Sequence, residues 1–501
     1  MFDDREYKGL DKNGPPNDLH ARLDFAVNEL KCKTPENSAF GVLTLRQRLL
    51  FLFLFAAFAL AVFVTPQTAF IAAGYVITSY FLIAMAFRIV LMALGARRYS
   101  ASERADKPVA LGSEPADLPV ITILAPLYRD AEALDSLSNA IGALDYPACK
   151  KDVILLLEED DPQTYNQAMR LGLGASRRIV RLPDIGPRTK PKACNVGLTY
   201  ALGDYVVIYD AEDRPEPDQL MKAAAAFREA DDKLACVQAR LNYYNARENW
   251  LTRLFTLEYA LWFDWLLPAL QRIGAPIPLG GTSNFFRTDI LRRAGGWDAY
   301  NVTEDADLGV RLSKLGYRIE MLDSTTYEEA NCRLGNWVRQ RSRWIKGHLL
   351  TWLVHMRRPG DIVKTTGWIG LLSLQLFLAG NVFAALFSPV LWILFIAMTL
   401  GLAPSLAQAP PTLEALNAFA LIFGNACFAG AAMMAPLKRG WKDLCLYGAT
   451  APAYWLLTSL AAYKALWQVF FRPYYWEKTD HMISAYSSPS RDAARSPARA
   501  A

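Results

Sequence analysis

The sequence has little of the chemistry that cysteine and histidine supply. Its 501 residues include seven cysteines, with no CxxC pair, and four histidines, and together they lack the spacing of a zinc site. The phosphate-binding pattern GxxxxGK[ST] is absent, and "GLGAS" at 172–176 lacks the spacing of a dinucleotide fingerprint. The first residues, "MFDDREYKGLDKNG", have no apolar stretch typical of a cleaved signal peptide. We therefore expect reduced thiols, no zinc site and no phosphate loop.

Hydrophobic residues, in contrast, are in excess at 52%, and they concentrate in long runs. A spanning helix needs roughly 20 apolar residues, so the runs predict a multi-span membrane protein; buried helices of a large soluble protein are the weaker alternative. The run from Trp368 to Ala403 is long enough for two crossings with a break at Ser388-Pro389, which gives six spans in total. The runs are 49–64, 68–94, 368–403, 416–437 and 444–471.

Basic residues indicate the orientation of these spans. Arg46 and Arg48 precede the first span, and Arg97 with Arg98 follow the second, so both flanks are expected in the cytoplasm. Arg88 lies in the second span near its cytoplasmic end, from which its side chain can snorkel. We expect a multi-pass protein of the inner (plasma) membrane with its soluble domain in the cytoplasm.

The count of C-terminal spans stays open at this point. Lys438, Arg439 and Lys442 favour an odd count, and the basic residues after Phe471 favour an even one. The net charge of +5 fits an anionic membrane face, and we expect no nucleic-acid partner. The expected segments are a cytosolic tail (1–47), a transmembrane hairpin (48–98), a soluble domain (105–345), interfacial helices (346–367), a transmembrane bundle (368–471) and a C-terminal segment (472–501).

The soluble domain alternates strand and helix patterns. "LPVITILAPLY" (118–128), "DVILLLEEDD" (152–161) and "DYVVIYDAED" (204–213) are buried strands, the last two ending in acids. Short apolar strands separated by helices predict an α/β domain with a Rossmann-like, mostly parallel sheet. Ligands bind beyond the carboxyl ends of such strands, where both acidic clusters lie.

Three carboxylates lie close together at one of these strand ends: Asp210, Glu212 and Asp213. Without a counter-ion they repel one another, and Mg²⁺ or Mn²⁺ prefers oxygen ligands of this kind together with substrate phosphates. The alternative is an acidic turn before Pro215 and Pro217.

Three further clusters follow along the chain. "RTKPKACNVGL" (188–198) gathers basic residues suited to phosphate, although a solvated loop is equally consistent. "NVTEDADLGVRL" (301–312) places Glu304 and Asp305 in the first turn of a helix, where acids also act as caps. "NWVRQRSRWIKG" (336–347) carries Gln340, Arg343 and Trp344 on one helical stretch.

In this order the motifs resemble those of the processive family 2 glycosyltransferases, which include cellulose, chitin and hyaluronan synthases and mixed-linkage β-glucan synthases. The acids of "LLLEEDD", the KPKACN segment, the D-x-D-like "DAED", the TED at 303–305 and the QxxRW at 340–344 carry the resemblance. It implies a GT-A-type catalytic domain inserted in a helical transmembrane bundle of about six spans.

The resemblance also implies roles for individual residues. Glu159 or a neighbour contacts the base, Lys192 touches the nucleotide, and Asp210 binds metal with Glu212 or Asp213. Asp305, beside Glu304, is the general base, and Arg343 neutralises the leaving diphosphate. The implied donor-binding residues are Glu159, Lys192, Asp210, Gln340, Lys478 and Thr479; the implied acceptor-binding residues are Trp344, Gly281 and Thr282.

Two further segments complete the comparison. "RPYYWEKTDH" (472–481) resembles a gating loop that closes over the nucleotide, through Trp476, Lys478, Thr479 and His481; an interfacial aromatic belt is the alternative. Residues 248–270 are expected to form an interfacial helix, with a core helix as the alternative. The tail beyond the gating-like segment is expected to be disordered.

The implied activity is inverting polymerisation of a β-linked polysaccharide, with β-glucan favoured, from a UDP-sugar, with UDP-glucose favoured. The product would cross the inner membrane. Expected partners are the donor, the growing glycan, the lipid bilayer and a periplasmic or regulatory subunit. Transfer of one sugar to a lipid is the first alternative, and a non-enzymatic transporter or scaffold is the second.

Overall fold

A computed structural model describes residues 19–96, 117–402, 410–479, 484 and 486. Its strands are β1 (Ile121–Leu127), β2 (Lys151–Glu158), β3 (Arg178–Leu182), β4 (Tyr205–Ile208), β5 (Arg214–Pro215), β6 (Leu234–Tyr243), β7 (Asn284–Arg287) and β8 (Arg318–Glu328). Its α-helices before the C-terminal membrane region are α1 (Leu19–Lys33), α2 (Leu45–Val64), α3 (Pro66–Ala96), α4 (Leu134–Gly142), α5 (Pro162–Arg170), α6 (Leu173–Ser176), α7 (Lys190–Tyr200), α8 (Gln219–Glu229), α9 (Trp250–Leu261), α10 (Leu267–Arg272), α11 (Thr288–Arg293), α12 (Glu304–Lys314) and α13 (Leu334–His355).

The C-terminal region continues with α14 (Pro359–Ser373), α15 (Gly380–Thr399), α16 (Pro411–Met434) and α17 (Ala451–Phe471). A π-helical segment, Trp262–Leu266, joins α9 to α10, and another, Leu374–Ala379, joins α14 to α15. Short 3₁₀ segments lie at Pro35–Asn37, Ala148–Lys150, Ala435–Arg439 and Lys442–Thr450.

The eight strands form one sheet in the order β3-β2-β1-β4-β7-β6-β8-β5. The first four are parallel. β7 runs antiparallel to β4 and β6, whereas β6 is parallel to β8. Apolar side chains cover both faces, and β1 is almost continuously buried, as is the second half of β2 (154–157). The sheet is therefore mixed, with a parallel half formed by β3, β2, β1 and β4, which refines the mostly parallel prediction.

The segment expected as a cytosolic tail includes a helix that packs on the sheet domain. Asn195 Nδ2 on α7 donates a hydrogen bond to the Ala26 carbonyl of α1 at 2.9 Å. Arg22 Nη1 donates to the Thr199 carbonyl at 2.8 Å. The charged composition of this segment concealed a helix whose Leu23, Phe25 and Leu30 are buried, so its described part belongs to the sheet domain.

Among the described residues, four helices are long and apolar enough to cross a membrane: Leu45–Val64, Pro66–Ala96, Pro359–Thr399 and Pro411–Arg439. The expected break at Ser388-Pro389 is wrong, because α15 continues through Pro389. A proline ring in an apolar helix costs one backbone hydrogen bond and is tolerated where neighbouring helices pack around it. The expected pair of crossings between Trp368 and Ala403 is thus one helix, and the count of six spans is not confirmed.

The last helix, α17, is not among these four. Its first end adjoins the sheet domain, where Trp250 Nε1 donates to Thr450 Oγ1 at 2.9 Å. Its other end adjoins the same domain, where Lys346 Nζ donates to the Arg472 carbonyl at 3.4 Å. Both ends of α17 therefore lie beside α9 or α13, and between them the helix packs against α13 and α15.

Two expected boundaries also change. α13 continues from Leu334 to His355, so the predicted limit at residue 345 falls inside one helix. The expected interfacial helix at 248–270 is buried along most of its length between the sheet and α3, where the Gly95 Cα approaches the Trp265 carbonyl closely. The core-helix alternative describes it better.

Candidate functional site

One cavity of about 1700 Å³ extends from the sheet to the long apolar helices α3, α15 and α16. One end lies at the carboxyl ends of β1, β2 and β4 and is lined by Tyr128, Asp160 and Asp210. The other lies among α3, α15 and α16 and is lined by Arg88 and Trp392. We call these the sheet end and the membrane end.

The acids after β4 take different positions. Asp210 pairs with Lys190 Nζ at 2.5 Å, and Glu212 also lines the cavity. Asp213 is buried away from it, where Oδ2 accepts hydrogen bonds from the Asp210 amide at 2.7 Å and from the Thr282 hydroxyl. Burial, followed by the charges of Asp210 and Glu212, raises the pKa of Asp213 well above its usual value. Asp213 thus stabilises the turn, and Glu212 is the acid placed beside Asp210.

Lys190, not the predicted Lys192, reaches the cavity. Lys190 Nζ also donates to the Gly281 carbonyl at 2.8 Å. Burial opposes its charge, but Asp210 and Glu304 outweigh burial and raise the pKa of Lys190. Lys192 is fully buried and pairs with Glu158 at 3.2 Å. Residues two apart on a helix point about 200° apart around its axis, so only one of these lysines faces the cavity.

At the end of β2 the structure selects neighbours of the predicted residue. Glu158 and Asp160 line the cavity, and Glu159 does not. Successive side chains alternate in direction along a strand and at its end, which separates Glu159 from both. The Tyr128 hydroxyl donates to Asp160 at 3.1 Å. The sheet end therefore presents acids and an aromatic ring together.

Glu304 and Asp305 open α12 and both line the cavity. Asp305 Oδ1 accepts a hydrogen bond from the Ala306 amide at 2.8 Å. Burial raises the pKa of Asp305 to about 6, and burial together with Asp305 raises that of Glu304 to about 7. Gly281 lies opposite, and a Cβ there would stand 3.5 Å from Asp305 Oδ2. A carboxylate with a pKa just below neutrality suits a general base.

The predicted residues of α13 share the cavity wall. The Arg343 guanidinium carbon lies 5.1 Å from the Trp476 ring centroid, and burial lowers the pKa of Arg343 despite the opposing charges of Glu304 and Asp210. The Trp344 ring packs 5.7 Å from that of Phe255. Gln340 also lines the cavity, and its Oε1 accepts from Asn331 Nδ2 at 2.8 Å.

The segment after α17 folds over the sheet end. Lys478 Nζ donates to the Tyr128 carbonyl and pairs with Asp130 at 3.3 Å. Trp476 and Lys478 line the cavity, whereas Thr479 is buried outside it. His481 lies outside the described residues. This position agrees with the gating-like hypothesis better than with an aromatic belt.

Thr282 does not line the cavity, unlike the predicted acceptor residue Gly281. Its hydroxyl donates to Asp213 and to the Ile208 carbonyl, the latter at 2.9 Å. Thr282 and Asp213 therefore support each other beneath the site. Nothing in the sequence around Thr282, a small residue next to Gly281, indicates that its side chain is buried.

Sequence reasoning missed two polar clusters. Arg341 forms a bidentate pair with Glu258 at 2.8 and 2.5 Å, and the Tyr454 hydroxyl donates to Glu258 at 2.7 Å. At the membrane end, Arg88 Nη2 donates to Asn381 Oδ1 at 2.5 Å. Arg88 therefore points into the cavity and does not snorkel, and its place in an apolar span was the available signal.

Metal binding has limited protein donors. Within the described ranges, no group of three or more His, Cys, Asp or Glu residues is arranged to hold a metal ion. Asp210 and Glu212 nevertheless share the cavity, and Mg²⁺ commonly uses one or two carboxylates with substrate phosphates and water. The donor set fits a metal that binds together with a diphosphate.

Residues 205–408 match the family model described as "Glycosyl transferase family group 2". The chain is similar to a β-monoglucosyldiacylglycerol synthase of Trichormus variabilis (27% identity, covering 46% of this chain and 49% of that protein). It is similar to a probable glucomannan 4-β-mannosyltransferase of Arabidopsis thaliana (26% identity, covering 46% and 43%). The matched region spans about half the length of such relatives. A mannosyltransferase structure from Pyrobaculum calidifontis, in complex with GDP-Man and Mn²⁺, aligns with a TM-score of 0.48 at 17% identity, covering 79% of this chain and 99% of that one.

Proposed function

We propose that this chain, whose residues 205–408 match the family 2 glycosyltransferase model, has a GT-A-type catalytic domain and polymerises a β-linked glycan, β-glucan in the favoured case, from a UDP-sugar at the membrane. One observation carries the proposal. The acids and cations of the sheet end and the membrane helices line the same cavity. A product formed at Asp305 therefore has a continuous path toward the membrane, across which we expect it to pass.

The donor would bind at the sheet end. Tyr128, Glu158 and Asp160 surround the position for the base, and Lys190 and Arg343 face the position for the diphosphate. A divalent cation, Mg²⁺ or Mn²⁺, held by Asp210 and Glu212 would supply Lewis-acid stabilisation of the leaving group. Lys478 and Trp476 would exclude water from the closed site.

Asp305 would accept the proton of the acceptor hydroxyl. The resulting oxygen nucleophile forms the new bond to the anomeric carbon while the bond to the UDP oxygen breaks on the opposite face. The configuration inverts from α to β. Arg343 and Lys190 neutralise the negative charge that develops on the diphosphate. Trp344 forms part of the acceptor wall, where a flat aromatic face suits a sugar ring.

We propose four membrane crossings. The segment containing Lys438 returns to the sheet domain, where Lys438 Nζ donates to the Asp264 carbonyl at 2.9 Å, and α17 begins and ends beside that domain. Both basic groups that gave conflicting span counts then lie in the cytoplasm, as positive charges prefer. Inverted vesicles expose the cytoplasmic face, so an impermeant maleimide should label a variant whose only cysteine is Cys445. A second variant, whose only cysteine is introduced by Leu400→Cys, should not be labelled, because this position would face the vesicle interior. The reverse pattern would overturn this topology.

A lipid acceptor is the second candidate. The membrane end is lined mainly by apolar side chains, including Phe81, Met85, Leu421 and Phe428, which suit an acyl chain better than a glycan. The Trichormus relative is named for a glycolipid product. The two candidates differ in the acceptor and share the donor site.

Inverted vesicles containing the protein would test both. They receive labelled UDP-glucose or UDP-N-acetylglucosamine with Mg²⁺ or Mn²⁺, and the products are sorted into polymer and chloroform-soluble lipid, with Asp305→Asn in parallel. Polymer that a β-glucanase degrades, absent from the variant, supports the synthase. Asp305-dependent label in lipid alone supports the second candidate, and no Asp305-dependent incorporation from either donor would refute both.

A further inference from the structure

Arg88 is a cation on an apolar span with an incomplete set of partners. It lies eight residues before the end of α3 at Ala96, or about 12 Å along the helix axis. Its guanidinium contacts the Asn381 amide oxygen and lies 5.7 Å from the Phe428 ring centroid. Nε is buried without a hydrogen-bond partner, and no ion pair involving Arg88 occurs in the described parts of the chain. Its charge is therefore not neutralised by a carboxylate.

Space is left beside this cation. Gly380 faces it, and a Cβ at this glycine would lie 3.6 Å from Arg88 Nη2 and 3.5 Å from the Tyr80 hydroxyl. Arg88, Tyr80, Gly380 and Asn381 all line the membrane end of the cavity. A ligand in the cavity thus reaches the guanidinium directly.

The surroundings select the chemistry of that ligand. A charge among apolar walls is costly unless an opposite charge joins it, and a neutral sugar hydroxyl does not supply one. A guanidinium matches the planar, bidentate geometry of phosphate oxygens. The neighbouring Phe81, Met85 and Leu421 favour an acyl chain over water. The combination therefore favours a phosphate that carries a lipid chain.

We infer that Arg88, with Asn381, binds the phosphate of an anionic membrane lipid at the membrane end of the cavity. This inference rests on the second candidate function, transfer to a lipid acceptor, since it places a lipid at the membrane end of the same cavity. The bound lipid would neutralise Arg88 and fix the apolar wall around α3 and α15.

Equilibrium binding tests this with the full-length protein in neutral detergent. Fluorescent phosphatidylglycerol is the probe, and unlabelled phosphatidylglycerol, diacylglycerol and inorganic phosphate are the competitors. Arg88→Gln should weaken probe binding about tenfold, the loss expected for a charge-assisted contact, and Arg88→Lys should retain part of it. Arg48→Gln, which removes an exposed charge in the first turn of α2, is the matched control and should bind as the unaltered protein does.

UDP binding by the same samples separates this inference from the proposed function. Unchanged UDP binding by Arg88→Gln with weaker lipid binding supports the site. If diacylglycerol and phosphatidylglycerol compete equally well for the unaltered protein, the phosphate site is refuted. This result does not depend on whether the variants fold. Displacement by inorganic phosphate at concentrations matching the lipid would show a simple anion site and overturn the lipid assignment. Failure to bind UDP would instead count against the donor site.

Discussion

Exchanging one lysine at a time on α7 tests the choice between Lys190 and Lys192. Lys190→Met removes a cation from the cavity, where it contacts Asp210 and the Gly281 carbonyl. A charge-assisted contact to a diphosphate is worth about 1.5–3 kcal/mol, so UDP should bind about 10- to 150-fold more weakly. Lys192→Met is the matched control. It removes the same charge from a position that is two residues along the chain and lies outside the cavity.

The control should show a different defect. Lys192 pairs with Glu158, whose side chain is 14% exposed, and leaving this carboxylate without its cation costs about 1–3 kcal/mol of folding free energy. Lys192→Met should therefore lower the melting temperature and change UDP affinity little. Titration calorimetry and thermal unfolding separate the two effects. If Lys192→Met weakens UDP binding more than Lys190→Met does, the assignment from the geometry is wrong.

The pH profile provides a second measure of Lys190. Its positive charge lowers the pKa of Asp305, against the larger effect of burial that raises this pKa to about 6. A base acts only when deprotonated, so kcat/KM should fall as the pH decreases through this region. Without Lys190 the fall should begin at higher pH. An unchanged profile in Lys190→Met would contradict the electrostatic contact between these residues.

Three further changes have defined outcomes. Asp305→Asn should lower kcat about 10²- to 10⁴-fold and yet raise the melting temperature. Burial raises the pKa of Asp305 to about 6 in the folded protein, so ionisation of this carboxylate costs stability progressively from the unfolded-state pKa up to about pH 6, and by a constant amount above it. A lower melting temperature of the variant at pH 8 would contradict this sign. Glu212→Gln should weaken Mn²⁺ activation more than Asp213→Asn does, whereas Asp213→Asn should mainly alter stability; equal losses of Mn²⁺ affinity would contradict the assignment. Lys478→Ala should raise the KM for the donor by freeing the segment over Tyr128, and an unchanged KM would show that this segment does not close the site.

Much of the sheet was predictable from sequence, because its signals are local. The apolar strands ending in "LLLEEDD" and "VVIYDAED" gave β2 and β4 and located the acids at their carboxyl ends. Antiparallel β7 was missed, since its pairing with β4 and β6 joins segments far apart in the chain. Such non-local pairing leaves no local pattern.

Within the site, residue type was easier to predict than direction. Asp210, Asp305, Arg343 and Trp344 line the cavity as expected. Lys192 and Asp213 are of the right residue type but point into the interior. On α7, residues two apart face opposite sides of the helix, so only Lys190 faces the cavity. In the turn after β4, Glu212 faces the cavity and Asp213 does not. Only the fold distinguishes these neighbours.

The count of six spans is not confirmed, for a related reason. The apolar run at 444–471 suggested a span, but α17 within it is not among the four helices that are apolar enough to cross a membrane, and polar contacts to α9 and α13 hold its ends. Near one end, the Tyr454 hydroxyl contacts Glu258, which also pairs with Arg341 on the helix that carries Arg343. Beyond the other end begins the segment that carries Trp476 against Arg343. A displacement of α17 would therefore reach Arg343 from two directions, through Tyr454 and Glu258 at one end and through Trp476 at the other.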